Sequence, residues 1–161
     1  MKLSPSDFVH LHNHTHYSLL DGLTKVPELV DFVKNDGMEA VAVTDHGTMS
    51  GLVELYECCN AAEIKPLLGL EAYVAARKRT DKDPAHDKRR YHITLIAMNN
   101  QGYENLCRIM SNAEIEGKYY KPRTDHEDLE NIMRELFVCL AVWARKFRRP
   151  SARVMTSGRL N

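Results

Sequence analysis

The chain has 161 residues, 43% hydrophobic and 27% charged, a composition typical of one soluble globular domain. Its formal net charge is zero with neutral histidines, which excludes a strong overall field toward nucleic acid or an anionic membrane. No apolar run approaches the ~20 residues that span a bilayer, and the first residues form no secretion signal. We therefore expect a cytoplasmic protein without a membrane partner. The four cysteines form no C-x-x-C pair, which agrees with a reducing compartment.

The apolar pattern predicts alternating strands and helices along most of the chain. In chain order, we predict a strand at 8–14, a helix at 26–36, a strand at 39–44, a helix at 51–63, a strand at 65–74, a polar loop at 76–90, a strand at 91–98 and a helix at 101–116. Pro27 in the first turn and Gly37 after the last mark the first helix. This order predicts an α/β fold with mainly parallel strands and right-handed crossovers. An open doubly wound sheet and a barrel both satisfy it.

The charge of the chain reverses near residue 131. Residues 1–130 contain 15 Lys and Arg against 21 Asp and Glu, a net charge of −6. Residues 131–161 contain 7 against 1, a net charge of +6, together with the only tryptophan, Trp143. We therefore divide the chain into a domain at 1–130 and a tail at 131–161.

Histidines and carboxylates recur where the predicted strands lie. Four of the eight histidines are His10, His12, His14 and His16. Residues two apart in a strand point to the same face, so two of these imidazoles can reach one metal ion. Further candidates lie at the ends of the predicted strands: Asp21 after the first, Asp45 and His46 after the second, and Glu71 within the C-terminal part of the third. Because the carboxyl ends of parallel strands converge, these groups are expected to meet at one rim of the fold.

Such a set of imidazoles and carboxylates suits zinc, manganese or iron, and several carboxylates favour more than one ion. Taken singly, each residue has an ordinary structural explanation. Asp21 precedes Gly22 as in a turn, Glu71 can be a strand-end charge, and His92 can be a core or surface histidine. The joint pattern, with each group placed after a strand, indicates a metal site.

The polar loop contains seven basic and three acidic residues between positions 77 and 90. The basic residues can contact a phosphate backbone. The interleaved acids and the lack of an aromatic residue favour a solvated, mobile loop instead.

Three segments resemble the motifs of the PHP (polymerase and histidinol phosphatase) family: HNHTHYSLLDG at 12–22, VTDHG at 43–47 and GLEAY at 69–73. Three more, HITLIA at 92–97, NNQGYENL at 99–106 and KYYKPR at 118–123, are similar to the N-terminal PHP domain of the bacterial DNA polymerase III alpha subunit. The resemblance covers about residues 7–130 and therefore identifies a partial PHP domain.

The resemblance implies a distorted (β/α)7 barrel, incomplete at the C-terminus, with divalent ions (Zn, Mn or Mg) at the strand ends. The implied metal ligands are His12, His14, Asp21, His46, Glu71 and His92. In relatives that keep these ligands, bound metals position and activate water for phosphodiester hydrolysis, a 3′–5′ exonuclease activity. Other relatives have lost ligands and serve as a metal-free scaffold for a separate proofreading exonuclease.

The parent protein would be a DNA-directed DNA polymerase, a nucleotidyltransferase of DNA replication. Its implied partners are DNA, a proofreading exonuclease and other replicase subunits, and its polymerase carboxylates would lie outside this chain. The alternatives are a stand-alone PHP phosphoesterase for small phosphate esters and the metal-free scaffold. The GYENL segment at 102–106 argues against the stand-alone enzyme.

The tail departs from the family pattern. A cysteine in a Leu-Ser-Gly-Cys run, a further histidine and a final Asp-x-His are not recognisable here. With permissible codons, a one-base shift from Val138 encodes Leu-Ser-Gly-Cys-Leu-Gly-Ala-Glu-Ile-Ser, the continuation the family would have. We therefore hypothesise that the reading frame slips near Val138. The alternative is a genuine basic helix at 136–149 that binds a partner or a membrane surface.

Overall fold

The computed structural model describes residues 4–139, which form one mixed sheet with helices packed on it. The strands are β1 (Ala40–Val43), β2 (Lys65–Ala75), β3 (Arg90–Ala97), β4 (Arg123–Thr124) and β5 (Leu136–Cys139). The helices are α1 (Val26–Asn35), α2 (Leu52–Ala62), α3 (Asn100–Ile115) and α4 (His126–Ile132), preceded by a short 3-10 turn at Pro5–Asp7. The predicted helices at 26–36, 51–63 and 101–116 are confirmed within a residue or two at each end. None of the helices between residues 4 and 139 is long and apolar enough to cross a membrane.

The strand order is β1-β2-β3-β5, with the short β4 paired to the far end of β2. β2 runs parallel to β1 and β4, whereas the β2–β3 and β3–β5 pairs are antiparallel. The α/β class is confirmed, and the sheet is compatible with an incomplete barrel. The expectation of mainly parallel pairing was wrong. A polar loop takes the place of a crossover helix between β2 and β3. The chain therefore returns along β2 in the opposite direction, and β3 pairs antiparallel to it.

The predicted strand at 8–14 was also wrong in detail. The segment makes one parallel bridge, His10 to Val41, and two backbone hydrogen bonds, Ala42 N–H to His10 O and Thr44 N–H to Asn13 O, both 2.9 Å. The side-chain amide of Asn13 donates to the carbonyl of Ala42 at 2.9 Å. It occupies an acceptor that a continuous strand ladder would use, so the segment lies extended along β1 without becoming a strand.

The core consists of two apolar clusters on the sheet. The first joins α1, α2 and β1 through side chains that are almost fully buried, among them Val26, Val33, Val41, Leu55 and Cys59. The second joins β2, β3, α3 and α4 through Leu70, Leu95, Leu106, Ile109 and Leu129. Residues of β2 alternate, so Leu70, Ala72 and Val74 enter the second cluster while Glu71 and Tyr73 point to the opposite face.

The part of the chain after residue 116 was not predicted in any detail. β4, α4 and β5 are short, and α4 starts with Asp125, whose side chain accepts a hydrogen bond from the backbone N–H of Asp128. Residues 136–139 form a strand, so the alternative of a basic helix from residue 136 is wrong for its first four residues. The rest of that segment, and most of the predicted frameshift product, lies outside the described residues.

A buried arginine holds the polar loop. Arg123 is 1% exposed, and its guanidinium donates hydrogen bonds of 2.9–3.1 Å to four backbone carbonyls. Three of them belong to the loop, at Arg79, Asp81 and Asp87, and the fourth belongs to Gly117. The loop is therefore fastened to the fold and is not simply solvated.

Asp87 is the second anchor of this loop. It is 1% exposed and accepts hydrogen bonds from Arg77 Nε at 2.9 Å and Nη2 at 2.6 Å, and one from the backbone N–H of Asp83 at 2.8 Å. The hydrogen bonds from Arg77 lower the pKa of Asp87 to about 2. Because the folded-state pKa lies below the ordinary value, this carboxylate stabilises the fold at neutral pH. Its contribution is lost as the pH falls from about 4 through about 2.

We expect Asp87→Asn to loosen the loop, because the amide cannot accept two charged hydrogen bonds from Arg77. Limited trypsin digestion at neutral pH should cut the variant within 76–90 several-fold faster than the parent chain. Asp81→Asn is the matched control, since the exchange is the same but the Asp81 carboxylate makes weaker contacts: a long 3.4 Å hydrogen bond from Lys78 N–H and a 3.5 Å approach to Arg77, against 2.6 Å for Asp87. Equal cleavage rates for Asp87→Asn and Asp81→Asn would contradict the anchoring role.

Candidate metal centre

Five of the six implied ligands come together in two overlapping groups of three donors. The groups are His12, His14 and Glu71, and His14, Asp21 and His46. Within each group the nitrogen and oxygen atoms lie within 4.8 Å of one another. The extended segment carries His12 and His14, and the turn after it carries Asp21. Glu71 lies in β2, and His46 follows β1. The five side chains therefore converge although they come from four separate parts of the chain.

Glu71 is the geometric centre of the site. Its carboxylate is 1% exposed and faces four imidazoles. His12 Nε2 contacts Glu71 Oε2 directly, and His14 Nε2 lies 3.2 Å from the same oxygen. On the other side, His46 Nδ1 lies 3.3 Å and His92 Nδ1 lies 3.5 Å from Glu71 Oε1. Since a buried carboxylate without partners is costly, the surrounding imidazoles, together with any metal ion held between them, compensate this one.

His46 lies beside Glu71 because the β1–β2 pairing continues past the end of β1. The backbone N–H of Glu71 donates to Asp45 O at 3.1 Å, and the N–H of Gly47 donates to Glu71 O at 2.9 Å. These two bonds form a parallel bridge between His46 and Glu71. Gly47 has a φ of +58°, which glycine adopts without strain, and it turns the chain away from the sheet there.

The second donor group lies on the more exposed side. His46 Nε2 lies 2.8 Å from Asp21 Oδ2, and the His46 ring stacks on His14 with centroids 4.0 Å apart. Burial lowers the pKa of His14 below its usual 6.5, and the neighbouring His46 lowers it further. His14 is therefore biased toward the neutral imidazole, which is the form that binds a metal.

The donor atoms fit a divalent ion. His46 Nδ1 is buried without a hydrogen-bond partner among the described residues and lies 3.3 Å from Glu71 Oε1, a condition that an ion between the two atoms would relieve. His12 Nε2 and His14 Nε2 are 3.1 Å apart, and His14 Nε2 is 3.2 Å from Glu71. These separations are close to the ~3.3 Å between ligands held at ~2.0 Å around a tetrahedral zinc.

Asp45 fastens the loop that carries His14 and Asp21. It is 2% exposed and accepts hydrogen bonds from Thr15 N–H at 2.6 Å, Thr15 Oγ1 at 2.8 Å and Ser18 Oγ at 2.6 Å. The Ser18 hydroxyl oxygen in turn accepts from His46 N–H at 3.0 Å. Asp45, predicted as one of the acidic candidates after a strand, therefore lies behind the site as a support and outside both donor groups.

The remaining predicted residues lie outside the donor groups. His92 sits at the edge, with a side chain 42% exposed. His10 and His16 do not reach the centre; their rings pack against Phe8 and Tyr17, respectively. Sequence reasoning missed Tyr73, whose ring is nearly parallel to that of His46 at 6.1 Å. Its position two residues after Glu71 in β2 was the available signal.

The chain is similar to known proteins over most of its length. A family profile described as PHP domain matches residues 10–150. A DNA polymerase III subunit alpha from Deinococcus radiodurans is 46% identical over 134 residues, which cover 78% of this chain and 10% of that protein. The protein of the same name from Thermus aquaticus is 47% identical over 126 residues, covering 76% of this chain and 10% of that protein. The chain thus spans about a tenth of the length of these curated relatives.

Among solved structures, an amidohydrolase from Chromobacterium violaceum is similar at a TM-score of 0.45 and 22% identity, over 65% of this chain and 34% of that one. A similarity at this level carries no weight for function.

Proposed function

Since the chain belongs to the PHP domain family, we propose that it is the N-terminal metal-binding module of a bacterial replicative DNA polymerase, the DNA polymerase III alpha subunit. The identity of 46% to the alpha subunit of Deinococcus radiodurans supports this origin. The observation that carries the metal function is the buried Glu71 carboxylate ringed by four imidazoles. The proposed ligands are His12, His14, Asp21, His46, Glu71 and His92.

A bound Zn, Mn or Mg ion would supply Lewis-acid chemistry, lowering the pKa of water and neutralising phosphate oxygens. Residues of this chain would hold the ions, and the exposed Asp21 side leaves room for a substrate. The reaction we propose is hydrolysis of a phosphodiester bond at the 3′ end of DNA, a 3′–5′ exonuclease activity. In the whole polymerase, the module would act beside DNA, a proofreading exonuclease and other replicase subunits.

The division of the chain at residue 131 is also a proposal. The reversal from −6 to +6 in net charge supports it. The proposed frameshift near Val138 falls within β5, at the end of the described residues. Sequencing the DNA around codon 138 tests the frameshift. Recovery of a continuous polymerase frame by one inserted or deleted base supports it, and an in-frame stop in several isolates rejects it.

The metal function is tested on the full 161-residue chain. Elemental analysis after dialysis against Zn or Mn should find bound ion, and EDTA should remove it. Hydrolysis of a 3′-ended oligonucleotide and of a phosphomonoester is then compared with and without metal. We expect metal-dependent release of nucleotides from the oligonucleotide. A preference for the phosphomonoester would favour the stand-alone phosphoesterase, and a chain that takes up no metal would favour the scaffold.

A further inference from the structure

A cleft of about 410 Å³ opens beside the metal centre. It is lined by Tyr73, Lys88, Arg89, Arg90, Tyr91 and His92. Two tyrosines and three cations therefore line a cleft that also includes one proposed metal ligand. The cleft belongs to β3 and the end of the polar loop, and nothing in the metal function described so far uses its basic residues.

The register of the sheet makes the cleft continuous with the metal centre. Tyr73 lies two residues after Glu71 in β2, so both side chains leave the same face of the sheet. In the antiparallel β2–β3 pair, Tyr73 is the direct partner of His92. The Tyr73 ring also lies 6.1 Å from the His46 ring at an angle of 13°. A linear polymer bound in the cleft would therefore extend directly to Glu71.

The cations of the cleft differ from those elsewhere in the loop. Arg77 is paired with Asp87, and Arg79 with Asp125, so their charges are already matched. Arg89, Arg90 and the nearby Lys121 form no ion pair with any carboxylate between residues 4 and 139. These three positive charges are exposed and available to an anion, although residues 1–130 as a whole carry a net charge of −6.

Each of these cations lies over an aromatic ring. The Arg89 guanidinium is 5.1 Å from the centroid of Tyr91. Arg90 and Lys121 approach the Tyr73 ring at 5.4 and 5.9 Å. Cations beside an aromatic ring suit a single-stranded nucleic acid, because its phosphates need positive charge and its bases need flat surfaces. A small phosphate ester would use only one such cation.

We propose that this cleft binds the single-stranded end of a polynucleotide and leads its terminal phosphodiester to Glu71 and its neighbours. Arg90 and Lys121, which lie by Tyr73 on the side of the sheet that carries Glu71, contact phosphates near the terminus, and Tyr73 stacks against a base. Arg89, at the start of β3 beside Tyr91, contacts a phosphate farther from the terminus. The proposal rests on the proposed function, because it names the substrate path of the same metal centre. It is nevertheless testable without hydrolysis.

The test is fluorescence anisotropy of a labelled oligothymidylate of about ten nucleotides, titrated with the full chain in EDTA. The double variant Arg89→Glu/Arg90→Glu should bind at least about tenfold more weakly, and its salt dependence should fall by ~0.7 in slope for each phosphate that the two arginines neutralise in the parent chain. The matched control is Lys34→Glu/Lys65→Glu, which makes the same charge change at exposed sites away from the cleft and should change affinity less than about twofold. Far-UV circular dichroism checks that both variants keep the fold.

A second variant separates stacking from charge. Tyr73→Leu removes the ring at constant charge and should weaken oligothymidylate binding about tenfold. Wild-type affinity for the oligonucleotide in Arg89→Glu/Arg90→Glu would overturn the proposal. It would also be overturned if thymidine monophosphate bound as tightly as the oligomer, since the cleft would then be a site for a small ester.

Failure of this inference is distinguishable from failure of the metal function. Arg89→Glu/Arg90→Glu should retain the metal content of the parent chain, because neither residue is a proposed ligand. If the chain took up metal but its DNA binding did not depend on the two arginines, only the cleft proposal would be wrong. If DNA binding depended on the arginines but the chain took up no metal, the cleft proposal would hold and the metal function would be wrong.

Discussion

Glu71→Gln is expected to lower the affinity for Zn or Mn by more than about 100-fold. Loss of a residue that merely supports a ligand costs about 10–100-fold, and Glu71 is itself at the centre of the donors. Its carboxylate lies within 3.5 Å of four imidazoles. The amide is nearly the same size but carries no charge and is a weak ligand for a divalent ion. Competition against a metallochromic chelator measures the affinity, and elemental analysis measures the stoichiometry.

Glu57→Gln is the matched control for this substitution. It makes the same chemical change on the exposed face of α2, away from the histidines, and should leave the metal affinity unchanged. Any metal-dependent nuclease activity, as proposed above, should fall in Glu71→Gln together with its metal content. If Glu71→Gln kept the stoichiometry and affinity of the parent chain, the ions would bind elsewhere and the proposed centre would be wrong.

The strand pattern of the sequence predicted only for some residues that their side chains meet at the site. The predicted meeting of side chains at one rim is found for Asp21, His46 and Glu71, whereas Asp45 lies behind the site. His92 comes within 3.5 Å of Glu71, at the edge of the site, for a different reason. It lies at the beginning of β3, and because β3 is antiparallel to β2, its start lies beside the end of β2. The resemblance to the family, and not the strand-end argument, identified it.

The alternation of histidines in the sequence predicted more histidines on one face than the structure places at the site. His10, His12, His14 and His16 have the same parity, yet only His12 and His14 meet Glu71. A strand would keep all four on one face, but the segment leaves the sheet after Asn13 and the chain turns over Asp45. The turn depends on a buried side chain 30 residues away, which no local pattern reveals.

The same turn is the basis of the second large expected effect. Asp45→Ala should destabilise the chain by about 3 kcal/mol, because it leaves three buried donors without their acceptor. Each unsatisfied donor costs about 1–3 kcal/mol, and water that enters the space of the lost carboxylate offsets part of the sum. The donors are Thr15 N–H, Thr15 Oγ1 and Ser18 Oγ, at 2.6–2.8 Å from the carboxylate. Thermal unfolding should show a decrease in Tm of about 10 °C. Ser18→Ala, which removes one of these bonds, should cost about 1 kcal/mol.

Asp45→Ala should also weaken metal binding, although Asp45 belongs to neither donor group, because the loop that it holds would loosen. His14 and Asp21 lie in the loop that Asp45 holds, so its release would let two of the five converging donors move away from Glu71. Asp31→Ala, on the exposed side of α1, changes the same residue type without a buried partner and should leave both Tm and affinity unchanged. If Asp45→Ala lost stability but kept its metal affinity, the donors would be held by the ions themselves. The loop would then have no part in preorganising the centre.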